Sequence, residues 1–154
     1  MKTYKIHLIR HGLTDANERG LYIGRTDLPL SPAGLTRLLA LKKACGYPPA
    51  RRFFTSPLLR CRQTLEVLYP GCQAEALPGL AECDFGEWEG KSVHALKADS
   101  RFQEWIAGGR SEIPGGESAQ AFQERVTAAF EGLVEGLMRA GDTDAVVCTH
   151  GGVV

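Results

Sequence analysis

Along the chain, short apolar runs that end at glycine or a polar pair alternate with stretches whose apolar residues recur at threes and fours. Residues 4–9 are apolar-rich and run into Gly12, which predicts a strand that ends at a loop. Ser31-Pro32 then offers an N-cap with proline at the first helical position. Leu35, Leu38, Leu39 and Lys42 follow at helical spacing, and Gly46 with Pro48 stops that helix. Residues 52–55 predict a second strand, and Ser56-Pro57 starts another helix with Leu58, Leu65 and Leu68 as its apolar positions. Residues 73–77 read as a short third strand. A long helix is predicted from about Glu117 towards Arg139, carried by Phe122, Val126, Phe130, Val134 and Leu137. Residues 145–148 are continuously apolar, as a strand buried on both faces requires.

Strands alternating with helices imply an α/β fold, a three-layer sandwich whose central sheet is mainly parallel with helices on both faces. In such sheets ligands bind beyond the carboxyl ends of the strands, near the point where the strand order reverses. A chain of 154 residues, 44% hydrophobic and 23% charged, suits one compact domain and excludes a disordered one. Lys+Arg and Asp+Glu both number 18. This balance argues against nucleic-acid or membrane binding driven by bulk charge, so any anion site is a local gathering of basic groups. The opening residues enter the first strand with no apolar leader, and no stretch is long enough to span a bilayer, which reads as cytoplasmic. Five scattered cysteines without a CxxC pair predict neither a disulfide framework nor a zinc site.

Placed on this scheme, the reactive residues converge. Arg10-His11-Gly12 leaves the first strand, Arg60 lies in the first turn of the helix after the second, and His150-Gly151 leaves the last. One crevice can therefore collect two guanidinium groups and two imidazoles. Phosphoryl transfer suits that set, because charge spreads over three equatorial oxygens and catalysis is mostly positioning and electrostatics. Arginine forks pair with phosphate oxygens, and a neutral imidazole whose other nitrogen is fixed by a hydrogen bond can attack phosphorus. The leaving alkoxide needs a proton from a carboxyl group. The loop at residues 80–90 offers Glu82, Asp84, Glu87 and Glu89 among aromatic neighbours, and residue chemistry alone does not choose between the glutamates.

The motifs Arg10-His11-Gly12 with Asn17 downstream, Ser56-Pro57-Leu58-Leu59-Arg60, the 80–90 loop and Thr149-His150-Gly151-Gly152 resemble, in order, those of the histidine phosphatases, the phosphoglycerate-mutase-like superfamily. The resemblance implies His11 as nucleophile, Arg10, Arg60 and His150 as holders of the phosphoryl oxygens, and Glu82 as proton donor. It also implies that Asn17, Gly24 and Gly151 help seat the phosphate, with Ile23 beside them, and that the reaction needs no metal or other cofactor. Within the family, residues 21–30, 84–90 and 114–118 look most like α-ribazole phosphatases, which act on a precursor in cobalamin synthesis. A small phosphoester is then the expected partner, and the sequence leaves the assembly open, a homodimer included. By the same resemblance, residues 1–154 form a single histidine phosphatase domain that lacks the family's C-terminal helix and strand.

Plainer readings apply elsewhere. Arg62, two positions from Arg60 on one helix, faces another direction and reads as a surface residue. His7 reads as structural and His94 as exposed, and Trp88 either packs under the acid loop or lines the pocket. Cys45 and Arg51 match a C-x5-R phosphatase pattern, but Pro48 and Pro49 lack the N–H groups that such a loop needs. Two rival functions stay open: a phosphoglycerate-type mutase, and a non-catalytic phosphoester-binding protein of the same fold.

Overall fold

The computed structural model describes residues 2–154. Four strands, β1 (Lys5–Arg10), β2 (Arg52–Thr55), β3 (Ala74–Ala76) and β4 (Asp144–Thr149), form one parallel sheet in the order β1-β4-β2-β3. The six helices are α1 (Asp15–Glu18), α2 (Pro32–Cys45), α3 (Leu59–Leu68), α4 (Val93–Leu96), α5 (Ser100–Ile106) and α6 (Ala119–Ala140). One 3-10 turn, Pro78–Leu80, leads into the acid loop and another, Gly86–Trp88, lies within it.

The path from β1 through β2 to β3 runs one way across the sheet, and the step from β3 to β4 runs back. Right-handed crossovers then put α2 and α3 on one face and α6 on the other. The two cores agree with this. Val146 and Cys148 of β4 pack with Cys61 and Leu65 of α3, while Ala145 and Val147 pack with Leu133 and Leu137 of α6. Strand β4 is thus covered on both faces, which is why its sequence shows no alternation.

Capping explains the helix bounds. Ser31 accepts the Gly34 N–H at the start of α2, and Ser118 accepts the Ala121 N–H at the start of α6. The long helix therefore begins two residues after Glu117. Gly141 closes it in the left-handed conformation, φ 72°, where a side chain would be strained. The apolar spacing of α2 overstates its buried face: Leu38 is buried, but Leu35 and Leu39 are exposed. In α6, Leu133 and Leu137 are buried while Val126 and Phe130 are only half-buried.

A third cluster joins Trp88, Leu96, Phe102 and Ile113 beneath the acid loop, with Tyr22 and Trp105 against it. Trp88 is fully buried there, edge-on to Phe102, and its indole N–H donates to Asp99. Of its two readings from sequence, packing under the loop is the one observed.

Candidate active site

Adjacent parallel strands carry the two histidines. Strand β1 ends at Arg10 and β4 at Thr149, and these residues are paired in register, so His11 and His150 leave the sheet side by side. Their rings stand 5.2 Å apart between centroids, in an edge-on arrangement. The His11 N–H donates to the Thr149 carbonyl, which ties the two exits together.

His11 Nδ1 lies 2.6 Å from its neighbour's carbonyl at Gly12. A carbonyl only accepts, so Nδ1 carries the proton and Nε2 keeps its lone pair for an incoming electrophile. Gly12 is itself pinned, its N–H donating to Thr64 Oγ1, and that hydroxyl donates to the Arg60 carbonyl in α3. Burial and the nearby charges of Arg60 and Arg10 outweigh the Gly12 hydrogen bond and lower the His11 pKa to about 4. His150 is completely buried, and burial with the charges of Arg60 and His11 lowers its pKa to about 2. Both rings are therefore neutral at pH 7. His150 Nε2 pairs with Ser56 Oγ at 2.7 Å, at the carboxyl end of β2.

Arg60, 1% exposed, lies under the loop that follows Tyr22. It donates to the carbonyls of Gly24 (2.8 Å) and Thr26 (3.0 Å). Two of its five N–H donors are thus engaged, leaving the rest of the fork for an anion. Arg10 is exposed and lies against Gly151, its guanidinium carbon 3.4 Å from where a Cβ on that glycine would stand. A side chain at Gly151 would crowd this arginine.

Glu82 enters from the acid loop, nearly buried. Its carboxylate accepts the Cys83 N–H at 2.9 Å and the Gly152 N–H at 3.2 Å, the latter just beyond His150. A Cβ at Gly152 would fall 2.4 Å from Glu82 Oε1, so glycine makes room for the carboxylate. The backbone of this loop is held from α6. Arg125 donates to the carbonyls of Gly79, Ala81 and Glu82 and pairs with Glu117, whose carboxylate also accepts the Asp84 N–H.

Asn17 belongs to the capping box of α1: its Oδ1 accepts from both Thr14 N–H and Thr14 hydroxyl, so only Nδ2 is left to meet an anion. Both backbone polar groups of Gly24 are occupied, the N–H by Glu89 and the carbonyl by Arg60. Gly24 therefore reaches the centre through Arg60 and donates nothing to it directly. Ile23 precedes it, half-buried. Arg62 and His94 are exposed. Cys45 is exposed at the end of α2.

Sequence reasoning did not single out Ser56, Thr64, Glu117 or Arg125, and it weighed Glu89 only as a candidate acid. Ser56 carried a faint signal, as a hydroxyl directly after a strand exit, but it reads equally well as a helix start. Each of the others makes hydrogen bonds spanning 33 to 65 positions, for which a single sequence has no local signature.

A cavity of about 270 Å³ opens beside the acid loop, lined by Glu82, Phe85, Trp105, Ile113, Phe122 and Gly152 among others. A second, of about 210 Å³, lies on the α2 side of the histidine and is lined by Arg10, His11, Arg37 and Tyr47 among others.

Residues 6–154 match the family model of the histidine phosphatase superfamily, branch 1. The chain belongs to that superfamily. Among curated relatives, the adenosylcobalamin/alpha-ribazole phosphatase of Salmonella typhimurium is 32% identical over 127 residues, covering 79% of this chain. The chain spans 63% of the length of that relative. The alpha-ribazole phosphatase of Shigella flexneri superposes with a TM-score of 0.83 at 27% identity, over 96% of this chain and 74% of that one. The phosphoglycerate mutase of Thermus thermophilus gives 0.74 at 37% identity, over 97% and 79%. These solved structures share its parallel sheet flanked by helices. Among the described residues, no helix is long and apolar enough to cross a membrane.

Proposed function

We propose that this histidine phosphatase hydrolyses a small phosphomonoester through a phosphohistidine at His11. The observation that carries the reading is the neutral, oriented His11 standing beside His150 and the buried Arg60 fork, with Glu82 reaching the same strand exit. His11 Nε2 attacks phosphorus, and the bond from phosphorus to the ester oxygen breaks. The leaving alkoxide takes a proton from the Glu82 carboxyl. Water then attacks the phosphohistidine, gives its proton to the Glu82 carboxylate, and frees orthophosphate and neutral His11. Arg10, Arg60 and His150 hold the equatorial oxygens, helped by Asn17 Nδ2 and the Gly151 backbone. No step calls for a metal.

For the leaving group we favour a flat aromatic nucleoside, α-ribazole 5′-phosphate being the named candidate. The aromatic cavity beside Glu82 supports this, since the alcohol that takes the Glu82 proton extends on that side. The names of the Salmonella and Shigella relatives point the same way. A phosphoglycerate-type mutase is the second reading, favoured by the Thermus relative and by the Arg10–Arg37 lining of the cavity at His11.

The test is phosphate release in EDTA by wild type and His11→Ala, offered α-ribazole 5′-phosphate, 3-phosphoglycerate and an aryl phosphate. Turnover by wild type alone supports the histidine mechanism, and the best ester identifies the leaving group. Equal turnover by His11→Ala refutes it. Bisphosphate-stimulated exchange between phosphoglycerates would favour the mutase.

A further inference from the structure

Of the four carboxylates in the acid loop, Glu89 makes the most hydrogen bonds, and none of them is to a group that phosphoryl transfer uses directly. Its Oε1 accepts the N–H groups of Gly24 (2.8 Å), Arg25 (2.9 Å) and Phe85 (3.3 Å). Its Oε2 accepts the Thr26 hydroxyl (2.7 Å) and the Thr26 N–H (3.4 Å). The same three-residue segment presents the carbonyls of Gly24 and Thr26 to Arg60. Gly24 and Thr26 thus each give an N–H to a carboxylate on one side and a carbonyl to a guanidinium on the other.

We propose that Glu89 is a positioning residue for Arg60, acting through the backbone of residues 24–26. This rests on the reading of Arg60 as a holder of phosphoryl oxygens. The physical case has three parts. First, the segment has little else to shape it: it is neither helix nor strand, and Arg25 and Thr26 are exposed. Second, hydrogen bonds to a charged acceptor are stronger than neutral ones, and five converge on this carboxylate. Third, the position of the segment is tightly bounded, since a Cβ at Gly24 would fall 1.6 Å from the Cys83 carbonyl of the acid loop. Holding Gly24 and Phe85 on one oxygen, Glu89 also fixes the spacing between Arg60 and the loop that carries Glu82. Asp27 completes the fixture by accepting the Leu59 N–H at 2.6 Å, next to Arg60 at the start of α3. Burial of Glu89 acts to raise its pKa, but the Thr26 hydroxyl and the amides of Arg25, Gly24 and Phe85 leave it lowered overall, so it stays ionised as the scheme requires.

The probe is inorganic phosphate, its affinity measured by calorimetry on the purified protein. Glu89→Gln keeps the shape but offers one acceptor oxygen in place of two charged ones. It is expected to weaken phosphate binding on the order of tenfold. In an Arg60→Lys background, where the fork is gone, the same change is expected to cost less than about twofold, because Glu89 has nothing left to aim. Thr26→Val, at an exposed position, covers the case in which Glu89→Gln does not fold: it should weaken phosphate binding about threefold without lowering Tm. Equal losses from Glu89→Gln in both backgrounds, or unchanged affinity in Thr26→Val, would overturn the proposal. A wild type that binds phosphate but hydrolyses no ester refutes the phosphatase reading while the binding ratios still decide Glu89. A wild type without affinity for phosphate overturns both.

Discussion

Two neutral histidines held against their ordinary titration make a specific demand on stability in mild acid. The perturbation is a fall in pH from 8 to 5. In the unfolded chain each imidazole titrates near 6.5, while in the folded protein burial and the arginines lower His11 to about 4 and His150 to about 2. A group with a depressed folded pKa of this kind takes up a proton on unfolding. Stability is therefore complete above the unfolded value and drains away as pH falls below 6.5. Linkage gives a loss of about 2 kcal/mol for each histidine at pH 5, so about 4 kcal/mol together. That is a large part of the stability of an ordinary domain. Urea unfolding at pH 8, 6 and 5 measures it, and the steepest loss, about 2–3 kcal/mol per pH unit, should lie between 6 and 5. His150→Gln removes one of the two titrations and should halve the slope. A wild-type protein that loses less than about 1 kcal/mol over this range would refute the account of both rings as neutral and buried.

The same pKa for His11 makes a kinetic prediction: kcat/KM for a phosphoester should hold its plateau below pH 6 and fall only near pH 4, where the nucleophile becomes protonated. An acid limb at 6.5 would show a solvated histidine instead. Gly24→Ala should cost on the order of 2 kcal/mol or more and most of the activity, because its Cβ would fall 1.6 Å from the Cys83 carbonyl; thermal melts and turnover read both. Ser56→Ala removes the partner of His150 Nε2 and is expected to lower kcat about tenfold with a small change in Tm, by initial rates on a generic aryl phosphate. Trp105→Ala should raise KM for an aromatic nucleoside phosphate several-fold while leaving phosphate inhibition unchanged, since it lines the leaving-group cavity and not the one at His11.

Much of the architecture is legible because it follows from burial. Strand β4 is apolar without alternation, and a chain segment of that length and kind has nowhere to go but the middle of a sheet. Ser31 marks where α2 begins, while the Ser118 cap of α6 shows only in the structure. The region from Ser92 to Ile113 was not legible: its helices α4 and α5 are short, and its order comes from an aromatic cluster shared with Tyr22 and Trp88, residues outside that region. The pairing of His11 with His150 could be read from the strand exits, because parallel strands deliver their ends to one side. The hydrogen-bonded frame could not. Glu89, Thr64 and Ser56 are ordinary polar residues in sequence, and their meaning depends on what tertiary structure brings within 3 Å. Glu82 was singled out by resemblance, and its contact with Gly152, two residues beyond His150, gives it a different place from Glu89, which is tied to residues 24–26.

The strand order has a kinetic consequence. Among the described residues strand β1 pairs only with β4, and Lys5 meets Asp144 across nearly the whole described chain. A growing polypeptide can pair β2 with β3 early, but β1 waits with an open edge until β4 is made. Closing so long a loop slows the search for the native topology. Insertion of β4 between β1 and β2 also brings His150 to His11, so that step of sheet assembly and the birth of the reactive centre are one event. Refolding followed by phosphate binding and by far-ultraviolet signal should show the binding competence arriving in step with β4, after β2 and β3 have paired.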